Sequence, residues 1–274
     1  MLVLILPETV VKWTIRFLDR SIFRAVAVVL LFLATGSSGY AQQTIINVPS
    51  DALTPQGMWF SLHESQVGWG SQTPKYTATN FLTYGLNENT ELAMTLYNVD
   101  EWGSQDMALG LGFKSAFDIF HERLPELEPK WTFGFLSPIS LAGQSPSVGH
   151  FGFTHLTFGV PCTELRLLAG AAVGSENLFG KDSVSVLAGA EYPITEHLSF
   201  TGEWFSGDHN LSALIPGLTY HRDRLILVGG LKIPNDFDFD KAALVLEAGW
   251  FFGPMQETEH ETVNLPHYGT MTRN

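Results

Sequence analysis

Eight charged or ionisable residues of this 274-residue chain stand opposite apolar residues in alternating runs: His63, Lys114, Glu164, Arg166, Glu191, Glu203, Lys232 and Glu247. If the apolar faces meet lipid, these eight line a lumen. A pore would use them as charged rings that set ion preference. A narrow lumen would instead be plugged by the same charges pairing with one another. His155 is the residue to weigh for nucleophilic chemistry, because its strand changes phase at that point and some outer-wall sites use a serine and a histidine. Spacing identifies no neighbouring serine with an orienting partner, so no catalytic residue is expected. Asp236, Asp238 and Asp240 could share one calcium ion, but the stretch lacks the glycine and distal glutamate of a calcium loop. A solvated acidic loop is expected there. Cys162 is the single cysteine, which excludes an internal disulfide and a zinc-ligand pattern. His260 and His267 are too dispersed for a metal site. No metal and no cofactor is expected, and a net charge of −13 argues against nucleic acid, whose phosphates need clustered Lys and Arg.

The elements that would carry these residues read as strands. Residues 183–206 hold two alternating runs joined by a turn at residues 193–197. Val184, Val186, Ala188, Ala190 and Tyr192 share one face, with Ser183, Ser185, Gly189 and Glu191 on the other. In the second run Leu198, Phe200, Gly202 and Trp204 oppose Ser199, Thr201 and Glu203. A period of two over this length means antiparallel strands with one apolar surface. Each run is as long as a strand that crosses a bilayer, roughly 9–11 residues.

The unit recurs along the chain. A first strand puts Met58, Phe60 and Leu62 on its apolar face and Ser61, His63 and Ser65 opposite. Further runs follow through Tyr84, Leu96, Phe113 and Phe135. The sixth run is out of phase with itself, because Phe151 and Phe153 alternate against Leu156, Phe158 and Val160; a β-bulge near residues 154–155 would explain the slip. The seventh to twelfth runs end at Phe252, with Pro216 weakening the tenth. The sum is twelve strands. Connections at 87–90, 161–163, 193–197 and 221–224 are short, and the alternate ones are longer and rich in Gly, Ser, Asp and Asn. Only 117–129, containing two prolines, is long on the short-turn side.

The N-terminus is read as a secretory signal. Arg16, Arg20 and Arg24 precede an apolar run at 25–34, followed by small residues up to Ala41. Ten apolar residues are too few for a spanning helix, which takes roughly 20, so residues 1–41 are expected to be removed. The remaining plan is a periplasmic lead-in at 42–56, a barrel at 57–253 and a polar tail at 254–274.

The alternating runs from Met58 to Phe252, and the closing Glu247-Ala248-Gly249-Trp250-Phe251-Phe252, resemble the bacterial outer-membrane β-barrel proteins, in particular a porin-like subgroup. The tail after Phe252 departs from that pattern, in which the final aromatic is often terminal. The resemblance implies an all-β fold, a transmembrane antiparallel up-and-down β-barrel. It also implies residence in the bacterial outer membrane, contact with its lipid and lipopolysaccharide, and insertion by the barrel-assembly machinery. A soluble barrel would also alternate, but twelve strands exceed a lipocalin. The expected function is a passive pore for small solutes or ions. The alternatives are a closed barrel with a structural or partner-binding role and, third, a lipid-modifying enzyme.

Overall fold

A computed structural model describes residues 48–68, 76–99, 107–120, 122–140, 148–179, 183–209 and 211–253. The expected signal peptide and cleavage point, the first six residues of the lead-in, the tail with His260 and His267, and the connections at 69–75, 100–106 and 141–147 lie outside them.

Twelve strands run antiparallel in chain order: β1 (Trp59–Gly68), β2 (Tyr76–Asn87), β3 (Thr90–Tyr97), β4 (Ala108–Asp118), β5 (Lys130–Ser140), β6 (Phe151–Gly159), β7 (Arg166–Gly174), β8 (Val184–Pro193), β9 (Leu198–Phe205), β10 (Ala213–Arg222), β11 (Leu225–Pro234) and β12 (Ala243–Phe252). Each pairs with its neighbours, and β1 pairs with β12 from Trp59↔Phe252 to Gly68↔Ala243, so the sheet closes into a barrel without an edge. Closure matters in lipid, where an unpaired backbone amide costs several kcal/mol.

The alternation of residue types becomes an alternation of inside and outside. Along β12, Leu244, Leu246, Ala248, Trp250 and Phe252 are exposed, while Ala243, Val245, Glu247, Gly249 and Phe251 are buried. The outer wall carries Leu92, Met94, Leu111, Phe113, Phe135, Leu156, Val173, Val186, Leu214 and Leu218, all exposed. Around the short-turn end Trp59, Phe117, Trp131, Tyr192, Phe200, Trp250 and Phe252 make an aromatic girdle, as a membrane interface favours. An apolar outer wall, an aromatic belt, an even strand count and charges turned inward are the build of a bacterial outer-membrane barrel. The protein is a transmembrane barrel of that membrane.

Three expectations are corrected inside the barrel. First, β6 has no bulge. It pairs without a break to β5, from Lys130↔Thr157 to Leu136↔Phe151, and to β7, from Phe151↔Gly174 to Gly159↔Arg166. The sequence pattern changes phase there only because Phe151 and Phe153 face inward, where they pack beside Leu168, Ala172, Phe179, Leu187 and Phe205. Second, Met58, Phe60 and Leu62 also face inward, with Ile215, Ile226, Val228, Val245 and Phe251. Each buried aromatic or branched side chain contributes roughly 1.5–3 kcal/mol, so these clusters make the interior a packed core. Third, residues 48–56, expected as a periplasmic lead-in, pack against the inner wall. Val48 is fully buried within the inner aromatic cluster, and Gln56 bridges to Gly85 of β2.

Candidate functional site

The charges on the inner wall hold the lead-in inside the lumen. Glu203 on β9 accepts the backbone N–H of Val48 through Oε2 at 2.8 Å. Arg166 at the start of β7 donates from Nη2 to Asp51 Oδ2 at 3.0 Å, and its Nη1 lies 3.7 Å from Glu128 in the 119–129 connection. On β3, Glu91 Oε2 accepts from Thr54 N at 2.7 Å and Thr54 Oγ1 at 2.9 Å, while its Oε1 pairs with Lys114 Nζ of β4 at 3.1 Å. Thr54 also shares a hydrogen bond with Thr83 of β2. Three separate wall sites thus grip one irregular segment. A second interior set joins β1, β11 and β12: Lys232 Nζ donates to Gln66 Oε1 at 3.2 Å, Gln66 Nε2 donates to Glu64 Oε1 at 2.8 Å, and Glu64 stands in register with Glu247.

The eight sequence candidates divide accordingly. Lys114, Arg166, Glu191, Glu203, Lys232 and Glu247 all sit at interior strand positions. Arg166 on β7 and Glu191 on β8 are register partners. Glu164 is corrected: it lies exposed in the turn between β6 and β7. His63 is corrected too, because the inward phase of Phe60 and Leu62 turns it outward, where it is exposed. The neighbour of Glu247 on β1 is Glu64. Asp51, Thr54, Glu64, Gln66 and Glu91 were missed; the run Phe60-x-Leu62-x-Glu64-x-Gln66 does place Glu64 and Gln66 on one face, but its apolar start pointed that face at lipid.

His155 is inside the barrel and 2% exposed, with no route to lipid. A closer serine–histidine contact joins Ser185 Oγ to His209 Nε2 at 2.8 Å. However, His209 Nδ1 accepts the N–H of Leu211 at 3.3 Å, so Nε2 carries the proton and cannot take one from Ser185. The His209 ring stacks on Phe179 at 4.3 Å, and the pair is structural.

On the outer wall the corrected His63 has company. Its Nδ1 lies 2.8 Å from Asn80 Oδ1, the residue directly opposite on β2, and its Nε2 lies 3.1 Å from Ser65 Oγ. Ser65 Oγ in turn lies 3.1 Å from Tyr76 OH. Residues i and i+2 share a strand face, which puts His63 and Ser65 side by side, and the β1–β2 register brings up Asn80.

In the loop between β11 and β12, Lys241 Nζ pairs with Asp236 and stands 3.6 Å from Asp238 Oδ2. Its hydrogen bond holds the Asp236 carboxyl below the usual range and the Lys241 amine above its own. Among the described residues no group of histidine, cysteine and carboxylate side chains suits a metal ion.

No protein-family model matches the chain, and no curated protein does. Among solved structures it is similar to the KdgM porin in complex with disordered oligogalacturonate, at 9% identity and a TM-score of 0.46, over 72% of this chain and 99% of that one. It is similar to an active-site mutant of outer membrane phospholipase A from Escherichia coli at 10% identity and 0.41, over 73% and 91%. The outer membrane protein Omp33 of Acinetobacter baumannii follows at 12% and 0.40, over 73% and 100%.

Proposed function

We propose that the protein is a porin-like conduit held shut by residues 48–57 of its own chain, and that small solutes or ions pass only when this segment leaves the lumen. The observation that carries the reading is the set of three wall anchors, Glu203, Arg166 and Glu91, closed on Val48, Asp51 and Thr54. Hydrogen bonds to charged groups contribute about 1.5–3 kcal/mol each. Breaking two or three together leaves on the order of one molecule in a hundred, or fewer, open at rest. Gly85 supports the same reading: a Cβ there would collide with the carbonyls of Thr54 and Pro55, so its bare Cα lets the segment lie against the wall.

Planar-bilayer recording of the purified mature chain, beside a variant lacking residues 42–57, tests this. Rare openings in the intact protein and frequent discrete current steps in the shortened one are expected. Retention of heat-modifiable gel migration checks that the shortened barrel has folded. A steady large conductance in the intact chain would sink the plug. Silence in a folded shortened barrel would sink the conduit and leave a closed barrel with a structural role.

A further inference from the structure

We propose that Ser65, His63 and Asn80 form a hydrolytic site on the outer wall, taking the acyl esters of membrane lipids as substrate. The inference stands apart from any passage through the lumen. It begins from placement. A lipid-facing position costs free energy for a polar group, and charged or ionisable side chains there mark functional sites by default. The outer faces of β1 and β2 nevertheless carry Ser61, His63, Ser65 and Asn80 between the aromatic pair Trp59–Tyr84 and Tyr76. Nothing in barrel closure asks for them: His63 has Ala248 as its partner on β12, and Ser65 has Leu246.

The hydrogen-bond directions are fixed by chemistry. The Asn80 Oδ1 atom only accepts, so His63 Nδ1 carries the proton and donates at 2.8 Å. That leaves the Nε2 lone pair facing Ser65 Oγ at 3.1 Å, which is the tautomer a general base needs. Ser65 then gives its proton toward His63 and accepts from the Tyr76 hydroxyl at 3.1 Å. All three bonds run one way, from tyrosine to serine to histidine to asparagine. The interior pair Ser185–His209 has the opposite tautomer and no lipid beside it, so proximity alone does not make such a site.

In the reaction, Ser65 Oγ attacks the ester carbonyl carbon as its proton passes to His63 Nε2. The tetrahedral intermediate collapses, the ester C–O bond breaks, and His63 returns the proton to the leaving alcohol, here the deacylated lipid. One water, activated by the same Nε2, then attacks the acyl-serine and releases the fatty acid. Asn80 is a positioning residue that holds the imidazole ring and its tautomer. Tyr76 steadies the oxygen of Ser65 as it loses its proton.

The substrate class follows from location. The outward face meets acyl chains, so the ester lies in a bilayer lipid rather than in a soluble metabolite. Glycerophospholipid and the acylated sugar of lipopolysaccharide share that bond, and the test separates them. Purified full-length mature protein, folded in detergent micelles, is incubated with phosphatidylethanolamine or with lipopolysaccharide, and free fatty acid is measured by mass spectrometry. Release from at least one is expected, falling by ~10³-fold in Ser65→Ala and His63→Ala. The lipid that loses its acyl chain names the source. A fluorophosphonate probe should label Ser65 and not Ser185 on peptide mapping. Asn80→Asp should retain turnover with a displaced pH profile, whereas Asn80→Ala should lose kcat with little change in KM. Removing an outward hydroxyl does not threaten folding, and heat-modifiable migration checks it. No fatty acid from either lipid, or release unchanged in Ser65→Ala, overturns the site. Neither result bears on conductance, which is read separately.

Discussion

Arg166 and Asp51 meet at 3.0 Å although 115 residues separate them in the chain, so the wall of the barrel reaches the segment that fills it. Arg166 also faces Glu191 in register and Glu128 at 3.7 Å, placing one guanidinium among three carboxylates. The fork geometry of arginine suits such sharing. Its removal leaves acidic groups gathered around a buried segment with no cation between them.

Arg166→Ala should therefore loosen residues 48–57 more than Asp51→Asn does. The expected cost is about 2–3 kcal/mol in the grip on the segment. Limited proteolysis of the folded protein reads it: cleavage within 48–57 should be slow in the parent chain and accelerated at least tenfold in Arg166→Ala. Equal protection in both would show that the pair does not hold the segment.

Glu91 and Lys114 form a buried pair, their side chains 3% and 7% exposed. Removing one member strands the other, at a cost of roughly 3–5 kcal/mol, whereas replacing both costs less. Lys114→Met should lower the urea midpoint in micelles clearly, and the double variant Lys114→Met/Glu91→Gln should regain part of the loss. In the parent chain Glu91 also accepts two hydrogen bonds from Thr54, so recovery should be incomplete. A double variant less stable than either single one would contradict this.

The barrel was legible in the sequence because period-two alternation maps directly onto inside and outside, as the exposed Leu244, Leu246, Trp250 and Phe252 of β12 show. The alternation misled where the interior is itself apolar. In β1 the inward residues Met58, Phe60 and Leu62 are more hydrophobic than the outward Ser61, His63 and Ser65, so hydropathy assigns the wrong face. The same inversion made Phe151 and Phe153 look like a bulge. Both misreadings have one cause: the lumen is packed, and packed interiors select for volume rather than polarity. The role of residues 48–57 was not legible, since contacts such as Val48 to Glu203 span 155 positions and leave no local pattern. The outer-wall triad was half legible. His63-x-Ser65 stands in the sequence, but Asn80 joins it only through the β1–β2 register.

Gly85 offers a way to expel the segment without touching a charge. The carbonyls of Thr54 and Pro55 lie where its Cβ would be, and backbone atoms cannot swing aside as a flexible side chain can. Gly85→Val should displace residues 54–57 from the wall and raise open-channel frequency in planar bilayers. Lipid hydrolysis should be unaffected, because Gly85 faces inward and Asn80 faces out. A silent Gly85→Val barrel that still folds would argue that other contacts keep the segment in place.

The loop between β11 and β12 provides a titration with a defined sign. Lys241 donates a hydrogen bond to Asp236, which lowers the Asp236 pKa, and the same contact raises that of Lys241. A carboxylate whose folded pKa is depressed stabilises the loop above its ordinary value of about 3.9, and the contribution is lost as pH falls through the folded value. A lysine whose pKa is raised contributes below its ordinary value of about 10.4, and that contribution is lost as pH rises through the folded value. The pair should hold across the neutral range and open at both extremes. The carboxyl carbon shift of Asp236, followed by NMR in micelles, should titrate below that of a free aspartate. Lys241→Ala should return it to the ordinary value, and added salt should move it the same way, since both groups are exposed and screened. An Asp236 that already titrates normally in the parent chain would mean that Lys241 is not its partner in solution.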